Sequence, residues 1–202
     1  MKLQTTNYKL QTNEGFSLIE LLVSIAILVI VSGLVFFNQS GFNNSVLVEN
    51  LAYEISLTIR QAQSYGLQSK EFEKGSNLFT IGYGVYFNID DNDKIILYAD
   101  VDMNHLYDGG GGVDREVDVL RLTSGNVIEK LCVGDVCAGG EVNVLNVSFI
   151  RPNPESYINY NSIAGSGSDV GEIYIKSPKD ERKKVIVNKI GQIAVESVPT
   201  PI

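Results

Sequence analysis

The chain of 202 residues has little of what most catalytic and metal sites use: one histidine, two cysteines and no tryptophan. The thiols of Cys132 and Cys137 with a single imidazole cannot supply the four ligands of a structural zinc site. A lone His105 leaves no evident Ser-His-Asp set, and its surroundings predict an exposed loop. We therefore expect that the chain is not an enzyme, with a membrane-anchored enzyme as the least favoured alternative.

The chain also has few basic residues, 16 against 24 acidic ones, for a net charge of −8. An acidic surface repels phosphate backbones, which argues against nucleic acid as a partner. The one candidate basic patch is Lys179–Lys184, and a solvated hairpin turn explains that run better.

The two cysteines are five residues apart, in a segment that predicts a hairpin with Gly134-Asp135 at its tip. In that hairpin Cys132 and Cys137 form a non-hydrogen-bonded cross-strand pair, with Cα atoms about 4.5–5.5 Å apart. A disulfide can bridge that distance, and two unpaired thiols are the alternative. A disulfide would indicate an oxidising compartment.

Residues 16–37 form an apolar run with one charge, Glu20. As a helix the run would be roughly 33 Å long, enough to cross a bilayer core. A secretory signal peptide would have a shorter apolar region followed by a small-residue cleavage site. An ordinary signal anchor would explain the hydrophobicity but not Glu20, because a carboxylate inside a bilayer costs about 2.5 kcal/mol or more.

The sequence Gly15-Phe16-Ser17-Leu18-Ile19-Glu20 resembles the processing site of type IV prepilins and pseudopilins. The family pattern is a polar leader ending in Gly, a following Phe, and a Glu at the fifth mature position of an apolar helix. The resemblance implies that a prepilin peptidase and methyltransferase removes residues 1–15 as a cytoplasmic leader. It cuts between Gly15 and Phe16 and methylates the new amino group of Phe16.

The resemblance also implies that Phe16 and Glu20 act in assembly, since in the family this Glu pairs with the N-terminal amine of a neighbouring subunit. At i and i+4 the two residues would share one helix face, with the acid near the positive end of the helix dipole. The alternative is a Glu that is tolerated near the membrane interface. Many members have a proline that kinks this helix, whereas residues 35–39 contain none, which leaves the kink open.

The membrane orientation follows from Lys2 and Lys9, which precede the apolar run. Positive residues stay cytoplasmic, so the C-terminal domain should lie outside a single-pass protein of the cytoplasmic (inner) membrane. The resemblance implies later assembly into a pilus or pseudopilus, with other pilin subunits and an inner-membrane assembly platform as partners. Removal of residues 1–15 would shift the net charge to −9, because two lysines and one glutamate leave.

The rest of the chain predicts an α+β fold, in which a long N-terminal helix packs on a mainly antiparallel β-sheet domain. We expect one helix from Phe16 to about Tyr65, membrane-spanning over residues 16–37 and amphipathic over residues 38–66, with Gly66 as its stop. Residues 67–202 would form an extracytoplasmic β-rich domain. The predicted buried stripe of the helix is Leu47, Leu51, Ile55, Ile59 and Ala62. The predicted strands are Gly82–Ile89, Lys94–Ala99, Val117–Leu122, Val127–Val133, Glu141–Arg151, Glu172–Lys176, Lys184–Asn188 and Ile193–Glu196.

The outer helix and the last predicted hairpin resemble those of minor pseudopilins of the GspH/FimT type. The resemblance implies a structural minor subunit of a type II secretion pseudopilus or a type IV pilus. The alternative is a pilin-like binding module, either an adhesin or a DNA-uptake tip subunit.

Residues 100–108 place oxygen ligands at positions 1, 3, 5 and 9 of a calcium-loop pattern, namely Asp100, Asp102, Asn104 and Asp108. His105 stands where that loop needs Gly, and Gly111 where it needs a bidentate Glu. Asp114 or Glu116 could take the place of that Glu. The segment therefore predicts either a Ca²⁺ site or an ordinary solvated acidic loop.

Overall fold

The computed structural model describes residues 15–37, 39–68, 80–109, 111–134, 137 and 140–198. The chain divides after Phe42 into two compact units. The first contains helix α1 (Leu18–Phe37), and helix α2 (Gln39–Leu67) lies mostly in the second. The predicted leader lies outside the described residues apart from Gly15. Asn38 lies outside them too, so a single long helix stays a prediction.

Helix α1 begins at Leu18, two residues later than predicted. The reason is a local cap: the Ser17 side chain accepts a hydrogen bond from the backbone N–H of Glu20, at 3.2 Å. A residue whose side chain caps a helix has non-helical backbone angles, so Ser17 precedes the helix and Leu18 is its first residue.

Within the described residues, ten antiparallel strands form two five-stranded sheets. Sheet A has the order β3-β2-β1-β6-β7, and sheet B has the order β10-β9-β8-β4-β5. An α+β fold with a helix packed on antiparallel sheets is therefore confirmed. The strands are β1 Gly82–Asn88, β2 Lys94–Asp100, β3 Arg115–Arg121, β4 Val127–Val133, β5 Glu141–Val142, β6 Val144–Phe149, β7 Ser156–Tyr160, β8 Val170–Lys176, β9 Arg182–Asn188 and β10 Ile193–Ser197.

Two strand predictions were wrong. The predicted strand Glu141–Arg151 is two strands, because β5 pairs with β4 in sheet B whereas β6 pairs with β1 in sheet A. Strand β7 was missed, since its buried residues include Ser156 and Asn159 as well as Ile158. A strand with polar residues on its buried face does not show the apolar alternation that reveals strands in a sequence.

The buried stripe of α2 differs from the predicted one at its start. Val48 is 1% exposed, whereas Leu47 is 41% exposed, so the prediction of Leu47 was wrong. The stripe continues through Leu51, Ile55 and Ile59, as predicted. Leu47 and Val48 lie four and three residues before Leu51, so both fit a helical spacing. Packing of α2 against the sheets buries Val48.

A hydrophobic core in the second unit connects α2 with both sheets. It combines the α2 stripe with the inward residues of sheet A, such as Val85, Leu97 and Val147, and with those of sheet B, such as Leu131 and Ile173. Gly66 lies where α2 meets this core, because a Cβ there would be 2.4 Å from the carbonyl oxygen of Phe149. Gly66 therefore permits a close approach of helix to strand, and the helix itself continues to Leu67.

The two edges of sheet A are covered or charged. In sheet A the loop after β7 covers that strand, with the Ser168 N–H donating to the carbonyl of Ile158 at 2.9 Å. At the opposite edge, β3 is largely exposed, and its sequence Arg-Glu-Val-Asp-Val-Leu-Arg carries four charges in seven residues. Strand β10 forms one edge of sheet B, and the two-residue strand β5 forms the other.

Candidate functional site

The N-terminus of α1 has the capping pattern Ser-x-x-Glu. Ser17 is the cap residue, its side chain accepts the N–H of Glu20, and its carbonyl accepts the N–H of Leu21 at 3.1 Å. Glu20 is thereby fixed as the third residue of the helix, where a carboxylate is favoured by the helix dipole. Sequence reasoning missed Ser17, although a Ser three residues before a Glu at the start of an apolar run is a recognisable signal.

Phe16 precedes the helix, so the predicted placement of Phe16 and Glu20 on one helix face was wrong in its geometry. Phe16 is 81% exposed, and Glu20 is exposed as well. Gly15 is also exposed, and a Cβ added to it would meet no atom within 4 Å. The three residues of the predicted processing and assembly motif are thus accessible to another protein.

The body of α1 is apolar and unburied. The 18 residues Leu18–Val35 have a mean hydropathy of 2.8, and none of them is buried. The helix is long and apolar enough to cross a membrane. An apolar helix that the described residues leave unburied needs lipid or other helices around it, since exposure of so much apolar surface to water is unfavourable.

Residues 11–36 match a family model described as the prokaryotic N-terminal methylation motif. This match supports a type IV pilin-like protein that is processed by prepilin peptidase. It covers 26 of the 202 residues, including Gly15, Phe16 and Glu20. Neither a curated protein nor a solved structure matches the chain. With α1, the motif is consistent with a single-pass protein of the inner membrane.

Cys132 and Cys137 form a disulfide with a Cα–Cα distance of 4.9 Å, so the predicted bond is confirmed. The predicted hairpin geometry around it was wrong. Cys132 pairs across the sheet with Glu141, and Cys137 lies in the connection between β4 and β5. The turn is therefore longer than two residues, and Asp135 and Val136 lie outside the described residues. The bond ties a strand to a loop.

The disulfide lies beside a buried ionic group on sheet B. Glu172 is 2% exposed, accepts a hydrogen bond from Lys184 at 2.9 Å, and accepts another from the hydroxyl of Tyr174 at 3.1 Å. The side chains of Cys132, Cys137 and Glu172 come close enough to hold a metal ion, but sulfurs joined in a disulfide are not thiolate ligands. The pairing with Lys184 compensates the buried charge.

The acidic segment after β2 is a compact loop. One carboxylate oxygen from each of Asp100, Asp102 and Asp114 lies within 4.8 Å of the others. Asp100 and Asp114 are buried, and Asp102 is exposed. Of the four predicted ligands the loop thus brings together Asp100 and Asp102. Asp114, which the sequence offered as a substitute, completes the group.

The other two predicted ligands have local roles. The side-chain oxygen of Asn104 accepts the N–H of Leu106 at 2.7 Å, and its amide donates to Asp102 at 2.9 Å. Asp108 is not one of the three clustered carboxylates, and its backbone N–H donates to Asp114 at 3.3 Å. Both residues therefore shape the loop that holds the three carboxylates.

The environment of the cluster favours neutral carboxyl groups. Burial raises the pKa of Asp100 to about 7, and the charges of Asp114 and Asp102 act in the same direction. The hydrogen bond from the His105 backbone opposes that shift. Burial likewise raises the pKa of Asp114, against hydrogen bonds from the backbones of Val101 and Asp108.

His105 is largely covered, so its predicted exposed setting was wrong. Its ring stacks on Tyr157 with centroids 3.8 Å apart, and burial lowers its pKa. Its Nδ1 lies 3.1 Å from the hydroxyl of Ser148 and 3.6 Å from Asp100. In a hydrolase triad, Ser and Asp contact opposite ring nitrogens, whereas here both face Nδ1, and Ser148 is fully buried. This group is a structural contact between the loop and sheet A.

Proposed function

We propose that the chain is a structural minor subunit of a type IV pilus or a type II secretion pseudopilus. It is cut after Gly15 by prepilin peptidase and assembled through α1. The observation that carries the proposal is the match of residues 11–36 to the methylation motif, on a helix of which none of the spanning residues is buried. Such a helix is suited first to lipid and then to a bundle of equivalent helices in a filament.

Glu20 supplies the docking charge in this proposal. Cleavage leaves an ammonium on Phe16, which remains cationic after one methylation. A carboxylate or an ammonium is costly in an apolar environment, and pairing between neighbouring subunits compensates both charges. Because the Ser17 cap fixes Glu20 in the first turn of α1, its carboxylate lies at the same depth in every subunit. Docking of an amine on Glu20 then sets the axial register of α1.

The subfamily assignment is part of the same proposal. The GspH/FimT resemblance rested on the amphipathic helix and the last hairpin, which correspond to α2 and to β9 with β10. Both pack in the shared core through Ile55, Val187 and Ile193. As a minor subunit the protein would initiate or cap the filament, with its second unit outside the membrane, where an oxidising compartment maintains the Cys132–Cys137 disulfide.

The basic run supports a structural role over DNA capture. Arg182 pairs with Glu129 at 2.8 Å, Lys183 with Glu49 at 3.1 Å, and Lys184 with Glu172 at 2.9 Å. Basic groups engaged with carboxylates in this way contribute little to phosphate binding. Tight, salt-sensitive retardation of DNA by the purified protein in a gel-shift assay would reverse this preference.

The test of the proposal is precursor processing in cells with an active prepilin peptidase. We expect Gly15→Val to leave the full-length precursor uncleaved on an immunoblot, because a side chain next to the cut obstructs the peptidase. Gly33→Val is the matched control, since a Cβ at either glycine meets no atom within 4 Å. The wild type and the control should lose residues 1–15. Normal cleavage of Gly15→Val, or an uncleaved wild type, would overturn the proposal.

A further inference from the structure

Backbone N–H groups orient the three clustered carboxylates by donating hydrogen bonds to them. The two oxygens of Asp100 accept the N–H groups of Asn104 and His105, at 3.1 and 3.0 Å. Those of Asp114 accept the N–H groups of Val101 and Asp108, at 3.0 and 3.3 Å. A carboxylate oxygen that accepts one hydrogen bond still has a lone pair for a cation. The carboxylates are therefore oriented without being saturated.

The nearest basic side chains do not neutralise this charge. The guanidinium of Arg115 donates to the backbone carbonyls of Val113 and Asp114, at 2.9 and 3.1 Å. The Nδ1 atom of His105 lies 3.6 Å from Asp100, but it is closer to the hydroxyl of Ser148, at 3.1 Å. Carboxylates this close repel one another unless protons or a cation compensate them.

An independent observation is the hydroxyl of Tyr98. This side chain is fully buried, and within the described part of the chain its oxygen is the single buried side-chain atom without a hydrogen-bond partner. A buried hydroxyl without a partner is unfavourable, so a bound water molecule at this hydroxyl would stabilise the structure.

The side chain of Tyr98 lies on the same face of sheet A as the carboxylate of Asp100. On β2, Tyr98 and Asp100 point to the same face, and they pair with Gly84 and Gly82 of β1. A Cβ on Gly84 would lie 2.7 Å from the Tyr98 hydroxyl, and one on Gly82 would lie 3.3 Å from a carboxylate oxygen of Asp100. Residues two apart on a strand are about 7 Å apart, so both groups lie side by side over β1.

The side chain of Tyr98 is also in contact with the acidic loop. Its ring packs on Tyr107 of that loop, with centroids 5.3 Å apart. Tyr98 thus lies on the side of sheet A that the acidic loop covers, beside Asp100.

We propose that Asp100, Asp102 and Asp114 bind a calcium ion, with the Tyr98 hydroxyl accepting a hydrogen bond from a water molecule on that ion. The donor set is oxygen only, which suits hard cations and not zinc. An irregular loop with mixed carboxylate and water ligands suits calcium, because Mg²⁺ demands near-ideal octahedral geometry. The ion joins the end of β2 to the residue before β3.

The test uses the full-length chain in detergent micelles. Calcium titrated into chelator-treated protein should raise the thermal midpoint followed by circular dichroism, and magnesium at equal concentration should raise it less. Terbium should bind competitively with calcium and luminesce on tyrosine excitation. Asp102→Asn should weaken calcium binding by at least tenfold, since it removes one charged ligand. Asp118→Asn, at another exposed acidic residue on β3, should leave the affinity unchanged.

Three results would overturn the proposal. The first is wild-type protein whose midpoint does not respond to millimolar calcium. The second is equal loss of affinity in the Asp102 and Asp118 variants, which would indicate general attraction to an acidic surface. The third is an equal response to magnesium. Tyr98→Phe tests the water contact: it should keep the calcium-free midpoint of the wild type or raise it, and weaken binding several-fold. Unchanged affinity in that variant would remove Tyr98 from the site.

Discussion

Glu20 and Ser17 show how one residue can serve two structures. In the free chain Glu20 is the third residue of a helix capped by Ser17, a position that favours a carboxylate for local reasons. In the proposed filament the same carboxylate receives a partner's amine. Because the hydrogen bond to Ser17 uses only the backbone N–H of Glu20, a substitution that removes the charge and keeps the shape separates this bond from the docking role.

Glu20→Gln should be cleaved normally and fail to assemble, because the amide keeps the helix start but cannot pair with an ammonium. We expect at least a tenfold loss of the subunit from sheared or detergent-resistant filament fractions, measured by immunoblot. Glu54→Gln, on the exposed face of α2, is the control and should assemble like the wild type. Assembly of Glu20→Gln at wild-type levels would show that Glu20 acts only as a capping residue.

The ion pair between Arg182 and Glu129 makes a pH-dependent contribution to the stability of the fold. Its guanidinium donates to both carboxylate oxygens, at 2.8 and 2.9 Å, and this contact holds the pKa of Glu129 below its usual value. A lowered pKa means that the pair stabilises the fold above about pH 4.5 and loses that effect as the pH falls further. Since both side chains are partly exposed, about 1 kcal/mol is expected.

Glu129→Gln should therefore lower the free energy of unfolding by about 1 kcal/mol at pH 7. The difference from the wild type should shrink as the pH falls below about 4.5, because protonation removes the charge from the wild-type side chain as well. Chemical denaturation at pH 7 and at pH 3.5 measures both values. An equal deficit at the two pH values would mean that the loss comes from packing and not from the ion pair.

Among the secondary-structure elements, apolar periodicity in the sequence identified most strands. It could not identify a strand or a buried helix face whose position depends on tertiary contacts. Strand β4 matched its predicted bounds, whereas β7 escaped because Ser156 and Asn159 are among its buried residues. The stripe of α2 began at Val48 and not at Leu47, since both lie on a helical face before packing selects one. The disulfide partners were evident, but no local pattern revealed that Cys132 pairs with Glu141 across the strands.

The candidate sites divide in the same way. Gly15, Phe16 and Glu20 are adjacent in the chain, so a motif of six residues contains them. The acidic cluster combines Asp100 with Asp114 from the other end of a loop. The proposed site also includes Tyr98 of strand β2. Local spacing therefore found Asp100 and Asp102, but the choice of Asp114 over Asp108 depends on how the loop folds on sheet A.

The stripe of α2 predicts a sharp contrast between two neighbouring residues of similar size. Ile55 is fully buried, and Leu57 is 65% exposed. Ile55→Ala should lower the free energy of unfolding by about 2–5 kcal/mol, because it leaves a cavity between helix and sheets. Leu57→Ala should change it by no more than about 0.5 kcal/mol. Urea denaturation of the two variants measures the contrast, and equal losses would contradict the packing of α2 described here.

For the molecule as a whole, the disulfide makes the stability of the fold depend on whether the surrounding compartment is oxidising. The bond closes a short loop, and restriction of the unfolded chain by such a loop contributes about 2 kcal/mol. Reduction with a phosphine should lower the thermal midpoint by several degrees, and the Cys132→Ser, Cys137→Ser double variant should show the same midpoint with or without reductant. A wild-type midpoint that reductant does not change would show that the bond does not stabilise the fold.

The charged edge of sheet A reduces strand pairing between copies of the protein at high local concentration. A subunit held in a membrane or packed into a filament meets copies of itself at high local concentration, where an exposed strand can recruit another strand. Strand β3 opposes this with charges of both signs, and the loop after β7 occupies the backbone groups of the other edge. Copies of the domain can thus be brought close together by α1 without pairing through the edges of sheet A. Order in such an assembly would then come from the helices, with sheet A of each copy kept separate from that of its neighbours.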